Sequence, residues 1–110
     1  MFNKNEIGLD YDNKETGKQA IKILRILGIK GKYRNSSSHR GYHIRIKVKD
    51  CNRKMNLKIR YMLGDCYGRY MRDVRRLQHG LKEFDILFDH KDNKTSGKWR
   101  QLKWNLYHVV

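Results

Sequence analysis

The sequence predicts an α+β fold, a mostly antiparallel sheet with helices packed on one face. Three observations predict it. Several short segments alternate apolar and polar residues at the period of a half-buried strand. Others repeat their apolar residues at helical spacing. The order is roughly β-α-β-β-(β)-α-β-β, with no internal repeat, linker or low-complexity block. At 110 residues the chain is expected to be one domain, 1–110, with a single modest core.

Each element has its own signal. In Glu6 to Asp12, Ile7, Leu9 and Tyr11 alternate with Gly8, Asp10 and Asp12, the pattern of a short strand. Thr16 and Gln19 are spaced as a capping box, and Ala20, Ile23, Leu24 and Leu27 follow on one helical face, with Gly28 as the stop. Gly31 to Ser38 reads as an extended piece entering a polar turn. Tyr42 to Lys49 alternates Tyr42, Ile44, Ile46 and Val48 against His43, Arg45, Lys47 and Lys49, a strand with one apolar and one cationic face. In Lys54 to Met62 the alternation of Met55, Leu57, Ile59 and Tyr61 favours a strand, while Leu57, Tyr61 and Gly64 would also suit a helix. Tyr70, Val74 and Leu77 predict a helix over Tyr67 to Gln78, closed by Gly80. Phe84 to Phe88 reads as a buried strand, and Trp99 to Val110, through Leu102, Trp104 and Leu106, as a last one. This order is close to the ferredoxin-like split βαβ plan.

Lys and Arg number 26 against 11 Asp and Glu, a formal charge of +15, and the sequence pI is about 10.1. Such a charge on so small a surface attracts phosphates in a salt-dependent way, so the expected partner is nucleic acid. Only 38% of the residues are hydrophobic, but 2 Trp, 7 Tyr and 3 Phe and regular periodicity argue for a folded chain. No stretch reaches the roughly 20 apolar residues of a membrane helix, and the first residues contain no apolar signal region. Cys51 and Cys66 form no CxxC pair and are expected as free thiols. The expected location is therefore the cytoplasm, a host's if the chain is viral or plasmid-encoded.

The first chemical feature is Asp10 and Asp12. On a strand, residues two apart point to the same face, here opposite Ile7, Leu9 and Tyr11. Two adjacent carboxylates repel unless a cation lies between them, and Mg²⁺ or Mn²⁺ takes hard oxygen ligands of this kind. The second feature is Ser36-Ser37-Ser38-His39-Arg40-Gly41-Tyr42-His43. Its serines and glycine suit a turn whose amides face phosphate, and His43 falls on the cationic face of the next strand beside Arg45 and Lys47. The HxxxH spacing of His39 and His43 lacks the glutamate of a zinc protease helix.

The pair IGLDYD and SSHRGYH resembles motifs I and II of the archaeo-eukaryotic primase superfamily. Motif I there is an apolar strand ending in D-x-D. Motif II is a strand entered through S-x-x-x-G-x-H, which Ser37, Gly41 and His43 match. For motif III, an apolar stretch followed by Asp, the best match is Asp73 in Tyr70 to Arg76, with Asp85 of FDILF as its competitor. The resemblance covers roughly residues 6 to 90. It implies an RRM-like core and a two-metal nucleotidyl-transfer site in DNA replication. Asp10, Asp12 and Asp73 (or Asp85) would be the ligands to Mg²⁺ or Mn²⁺. His43 would meet the phosphates of a nucleoside triphosphate, helped by Ser37 and the Gly41 turn, with Arg40 and Arg45 adding positive charge.

The chain departs from that family in two ways. It leaves almost no room for the additional subdomain that polymerising members carry, which a partner chain or homo-oligomer could supply to complete the site. Ser38 and His39 also stand where glycines are frequent. A non-catalytic protein binding single-stranded DNA or RNA through a degenerate primase-like core is the second expectation, and a nuclease on the same metal site a third. Arg69, Arg72, Arg75 and Arg76 would form a cationic helix stripe for a nucleic-acid backbone. Trp99, flanked by Lys98 and Arg100, is the candidate for base stacking. Thr95 to Lys98 is no P-loop, and the Cys51, Cys66, His79 and His90 spacing matches no zinc site.

Overall fold

A computed structural model of the chain describes residues 2–87, 90–91 and 94–102. The elements run β1 (Glu6–Tyr11), α1 (Lys14–Ile26), β2 (Gly31–Asn35), β3 (Tyr42–Lys47), α2 (Arg53–Met62), α3 (Tyr67–Gln78), β4 (His90–Lys91), β5 (Lys94–Thr95) and β6 (Arg100–Gln101). The main sheet has the order β1-β3-β2-β6, every neighbour antiparallel. β4 and β5 form a separate two-stranded ladder. Since β1 and β2 both run opposite to β3, they are parallel to each other with β3 between them. That is a split βαβ unit, compatible with an RRM-like α+β fold.

The register explains the layers. Ile7 faces Ile46, Leu9 faces Ile44 and Tyr11 faces Tyr42, so the apolar residues of both strands share one side. α1 closes this side through Ile21 and Leu24 and α2 adds Ile59, with Leu102 completing the core. Removing each such side chain from water contributes roughly 1.5–3 kcal/mol. Tyr11 also donates its hydroxyl to the carbonyl of Leu63, just past α2.

Four elements differ from the sequence reading, each for a physical reason. The segment Lys54 to Met62 is helical, within α2. Asn52 caps it by accepting from the Met55 N–H at 2.8 Å, and its buried positions are Asn56, Leu57 and Arg60, a helical spacing. Met55 and Tyr61, which alternation would have buried, are exposed. α1 starts earlier than the Thr16 and Gln19 spacing suggests, because Asn13 accepts from the Glu15 and Thr16 N–H groups. Its buried face runs through Gly17, Ile21 and Leu24, leaving Ile23 and Leu27 exposed.

Phe84 to Leu87 forms no strand. Asp85 has φ 56°, a left-handed conformation that interrupts extended chain. Phe88 lies outside the described residues. The last strand is limited to Arg100–Gln101, and Trp104, Leu106 and the rest of 103–110 lie outside the described residues.

β1 is an edge strand, and its open side is closed by side chains and by the Cys66 backbone N–H. The Gly8 N–H donates to Asp85 Oδ2 at 2.8 Å, and the Gly8 carbonyl accepts from Arg69 at 2.9 Å. The Asp10 N–H donates to Asp65 at 2.8 Å, and the Asp10 carbonyl accepts from the Cys66 N–H at 2.9 Å. Every outward backbone group of Gly8 and Asp10 is thus satisfied without a further strand.

Candidate active site

The strand register assembles the polar face one row at a time. Asp10 pairs with His43 across β1 and β3, and Arg34 pairs with His43 across β2 and β3. The three side chains form a line. Arg34 Nε donates to His43 Nδ1 at 3.0 Å, and His43 Nε2 lies 3.7 Å from Asp10 Oδ1. With Nδ1 accepting, the ring proton belongs on Nε2, the nitrogen turned to Asp10. His43 is buried and Asp10 half-buried, so the row is held away from bulk water.

Above this row lies a hollow of about 290 Å³. Asp10, Asp12, Ser37 and His43 line it, joined by Cys66, Arg69 and Arg72. The turn carrying Ser37 is fixed by Ser36 N–H donating to the Gly41 carbonyl at 3.0 Å and by His39 N–H donating to the Ser36 carbonyl at 2.9 Å. Gly41 does not line the hollow; it lets the chain pass Tyr11, since a Cβ there would overlap the Tyr11 carbonyl. α3 begins at the same hollow. Cys66 and Gly68 both line it, no side chain caps the helix, and its first turn carries no acid. The positive end of α3 therefore meets the site beside the Asp10 and Asp12 carboxylates.

Asp10, Asp12 and Cys66 bring ligand atoms within 4.8 Å of one another. Burial pushes the Cys66 thiol above its usual range, and the neighbouring Asp12 and Asp10 add to the shift. The two carboxylates offer hard oxygens that suit Mg²⁺ or Mn²⁺. Their combined charge matches a single divalent ion.

Neither sequence candidate for a third carboxylate lines the hollow. Asp73 is 1% exposed, and both its oxygens are occupied. Oδ2 accepts from Arg60 at 2.7 Å and from the Asp85 N–H at 2.9 Å, while Oδ1 accepts from Arg76 at 3.1 Å. Asp85 accepts from Gly8, Asn56 and Arg69. Burial alone would raise its carboxyl, but Arg69 and Arg45 hold it below the usual carboxylate range. Arg60, fully buried, also donates to Asp65 at 2.7 Å. These groups form an ion-pair network beside β1, and its geometry is architectural.

The cationic candidates separate in the same way. Arg69 lines the hollow but is taken up by Asp65, Asp85 and Gly8, and Arg76 is paired with Asp73 and Glu83. Of the α3 stripe, only Arg72 and Arg75 are exposed. Arg45 sits one row along the sheet and donates to the Asp85 carbonyl. Burial lowers its pKa against the pull of Asp85. Arg40 is exposed on the turn and does not line the hollow. Trp99 packs against β2, with Arg34 4.3 Å and Lys32 4.9 Å from its ring centre.

Sequence reasoning missed Arg34, Asp65 and Cys66. The signal for Arg34 was its β2 position, but its row depends on register. Asp65 and Cys66 stand in a turn between helices, where local pattern carries no information about β1. Compared with protein-family models, curated proteins and solved structures, the chain finds no match. Among the described residues no helix is long and apolar enough to cross a membrane.

Proposed function

We propose that the chain is a metal-dependent nucleotidyltransferase of the primase-polymerase type, acting on a nucleic-acid template. One observation carries this reading. Asp10 and Asp12 from one motif, and Ser37 and His43 from another, line a single hollow. Asp10 and Asp12 would hold Mg²⁺ or Mn²⁺, which when bound polarises phosphate oxygen and neutralises developing charge. His43, itself held by Arg34 and 3.7 Å from Asp10, would meet the phosphates of the triphosphate. Ser37, Arg72 and the amino end of α3 provide donors and positive charge for a triphosphate. The described residues supply one carboxylate pair, so this reading rests on one protein-held ion.

A second reading is a basic module for single-stranded nucleic acid. It is favoured by the Arg34–Trp99–Lys32 stack and by exposed Arg72 and Arg75 on a chain of charge +15. The deciding experiment is incorporation of labelled nucleotide on a single-stranded template with Mg²⁺ or Mn²⁺. Wild type is compared with Asp10→Ala/Asp12→Ala, and both are checked for folding. Incorporation lost only in the variant supports the enzyme. Absence of incorporation by a folded wild type, with salt-sensitive binding indifferent to Asp10 and Asp12, supports the module.

A further inference from the structure

Three tyrosines gather on the outer side of α2 and α3. The ring centres of Tyr61 and Tyr70 are 5.5 Å apart, and those of Tyr67 and Tyr70 6.3 Å. Tyr61 is 66% exposed and Tyr67 67%, so two of the three rings stand largely in water. Met62, next in the chain, is open as well. Exposed apolar surface gathered into a patch and rimmed by polar residues marks an interaction site. Here the rim is cationic. Lys54, Lys58 and Tyr61 are spaced i, i+4 and i+7 and share one stripe of α2, with both lysines exposed. Arg72 and Arg75 are exposed on α3. The one acid in either helix, Asp73, is buried against arginines. Tyr67 stands between Cys66 and Gly68, which both line the hollow, as does Arg72. Trp99 differs, since its ring is already packed against Arg34 and Lys32.

We propose that Tyr61, Tyr67 and Tyr70 are a stacking platform for the bases of a single nucleic-acid strand passing beside the hollow. Its phosphates are met by Lys54 and Lys58 on one helix and by Arg72 and Arg75 on the other. This rests on the reading, shared by both functions above, that the chain binds nucleic acid. Every base has a π-face, so a platform of rings takes single strands without choosing sequence. A duplex keeps its bases stacked on one another and offers the rings little. The surrounding cations supply the attraction for phosphate. Charge also decides between a nucleic-acid strand and a second copy of this chain. Two copies of the face would bring like charges together, whereas a polyanion neutralises them.

The test is fluorescence anisotropy of labelled oligo(dT) and oligo(U) with the full chain. Tyr61→Leu/Tyr67→Leu removes both exposed rings and should weaken binding by about 5-fold or more. The salt slope should stay as in wild type. Tyr61→Phe/Tyr67→Phe keeps the rings and should bind as wild type does. Lys58→Gln/Arg75→Gln should instead flatten the salt slope by about two. In unaltered protein, irradiated iodouracil-substituted oligomers should crosslink to Tyr61, Tyr67 or Tyr70, mapped by mass spectrometry, so the proposal does not depend on any variant folding. Undiminished binding by a folded leucine variant, with crosslinks only elsewhere, would overturn the platform and leave nucleic-acid binding standing. Failure of wild type to bind either oligomer at low salt would overturn both. A wild-type dimer in sedimentation that the leucine variant loses, with oligomer binding unchanged, would assign the face to a second copy and overturn the platform.

Discussion

Arg69 Nη1 lies 2.9 Å from the carbonyl oxygen of Gly8, on the side of β1 where a neighbouring strand would otherwise pair. The same guanidinium contacts Asp65 and Asp85. Arg69→Met would leave both carboxylates short of a partner and the edge carbonyl bare. Breaking a buried pair costs about 3–5 kcal/mol, so the urea midpoint should fall sharply. A midpoint equal to wild type would show that the network does not hold the edge.

Asp73 and Asp12 should part company. Asp73→Asn removes the charge that Arg60 and Arg76 share and should destabilise by about 3 kcal/mol or more. Asp12→Asn, at an exposed position, should stay within about 0.5 kcal/mol of wild type while weakening Mn²⁺ binding. Calorimetry of Mn²⁺ binding beside urea unfolding reads both effects. A stable Asp73→Asn with lost Mn²⁺ binding would return Asp73 to the metal site.

Two glycines make opposite demands. A methyl at Gly41 would overlap the Tyr11 carbonyl, so Gly41→Ala should unfold the turn that carries Ser37 and sharply lower the thermal midpoint. A methyl at Gly68 meets nothing within 4 Å and replaces a poor helix former, so Gly68→Ala should raise stability by up to about 1 kcal/mol. Thermal unfolding of the pair checks the comparison.

Stability should depend on pH at both ends. The Asp85 pKa is lowered by folding, so its contribution is complete above the unfolded value near 3.9 and is lost as pH falls through the folded value. Asp85→Asn should flatten the loss seen below about pH 4. Burial raises the Tyr11 pKa, with Asp65 adding to it. Its contribution is full below the unfolded value near 10 and is lost as pH rises beyond it. Tyr11→Phe should soften the alkaline loss in a pH series of urea midpoints.

Much of the sheet was legible because its signal is local. Ile7, Leu9 and Tyr11 alternate with Gly8 and Asp10, and Ile44 and Ile46 with His43, Arg45 and Lys47, which suffices to separate the apolar face from the polar one. α2 was misread because its face toward β1 is built partly from Asn56 and Arg60. A hydrophobic pattern scores such residues as solvent-facing. Their burial is stabilised by Asp65, Asp73 and Asp85, which arrive from other parts of the chain. The same acids misled the search for a third ligand, since an isolated Asp in a basic chain reads alike whether it holds metal or arginine.

The sequence by itself determined the strands β1 and β3, the helices α1 and α3, and the cationic character of the surface. These follow from side-chain periodicity and composition, which need no knowledge of distant contacts. Only the tertiary structure decided that Asp10, His43 and Arg34 form one row, that Cys66 joins the carboxylates, and that Asp73 and Asp85 stay with arginines. Those outcomes depend on strand register and on ion pairing between residues far apart in the chain. Coulomb attraction in a buried environment selects among the available partners, and local sequence pattern does not reveal which one is within reach.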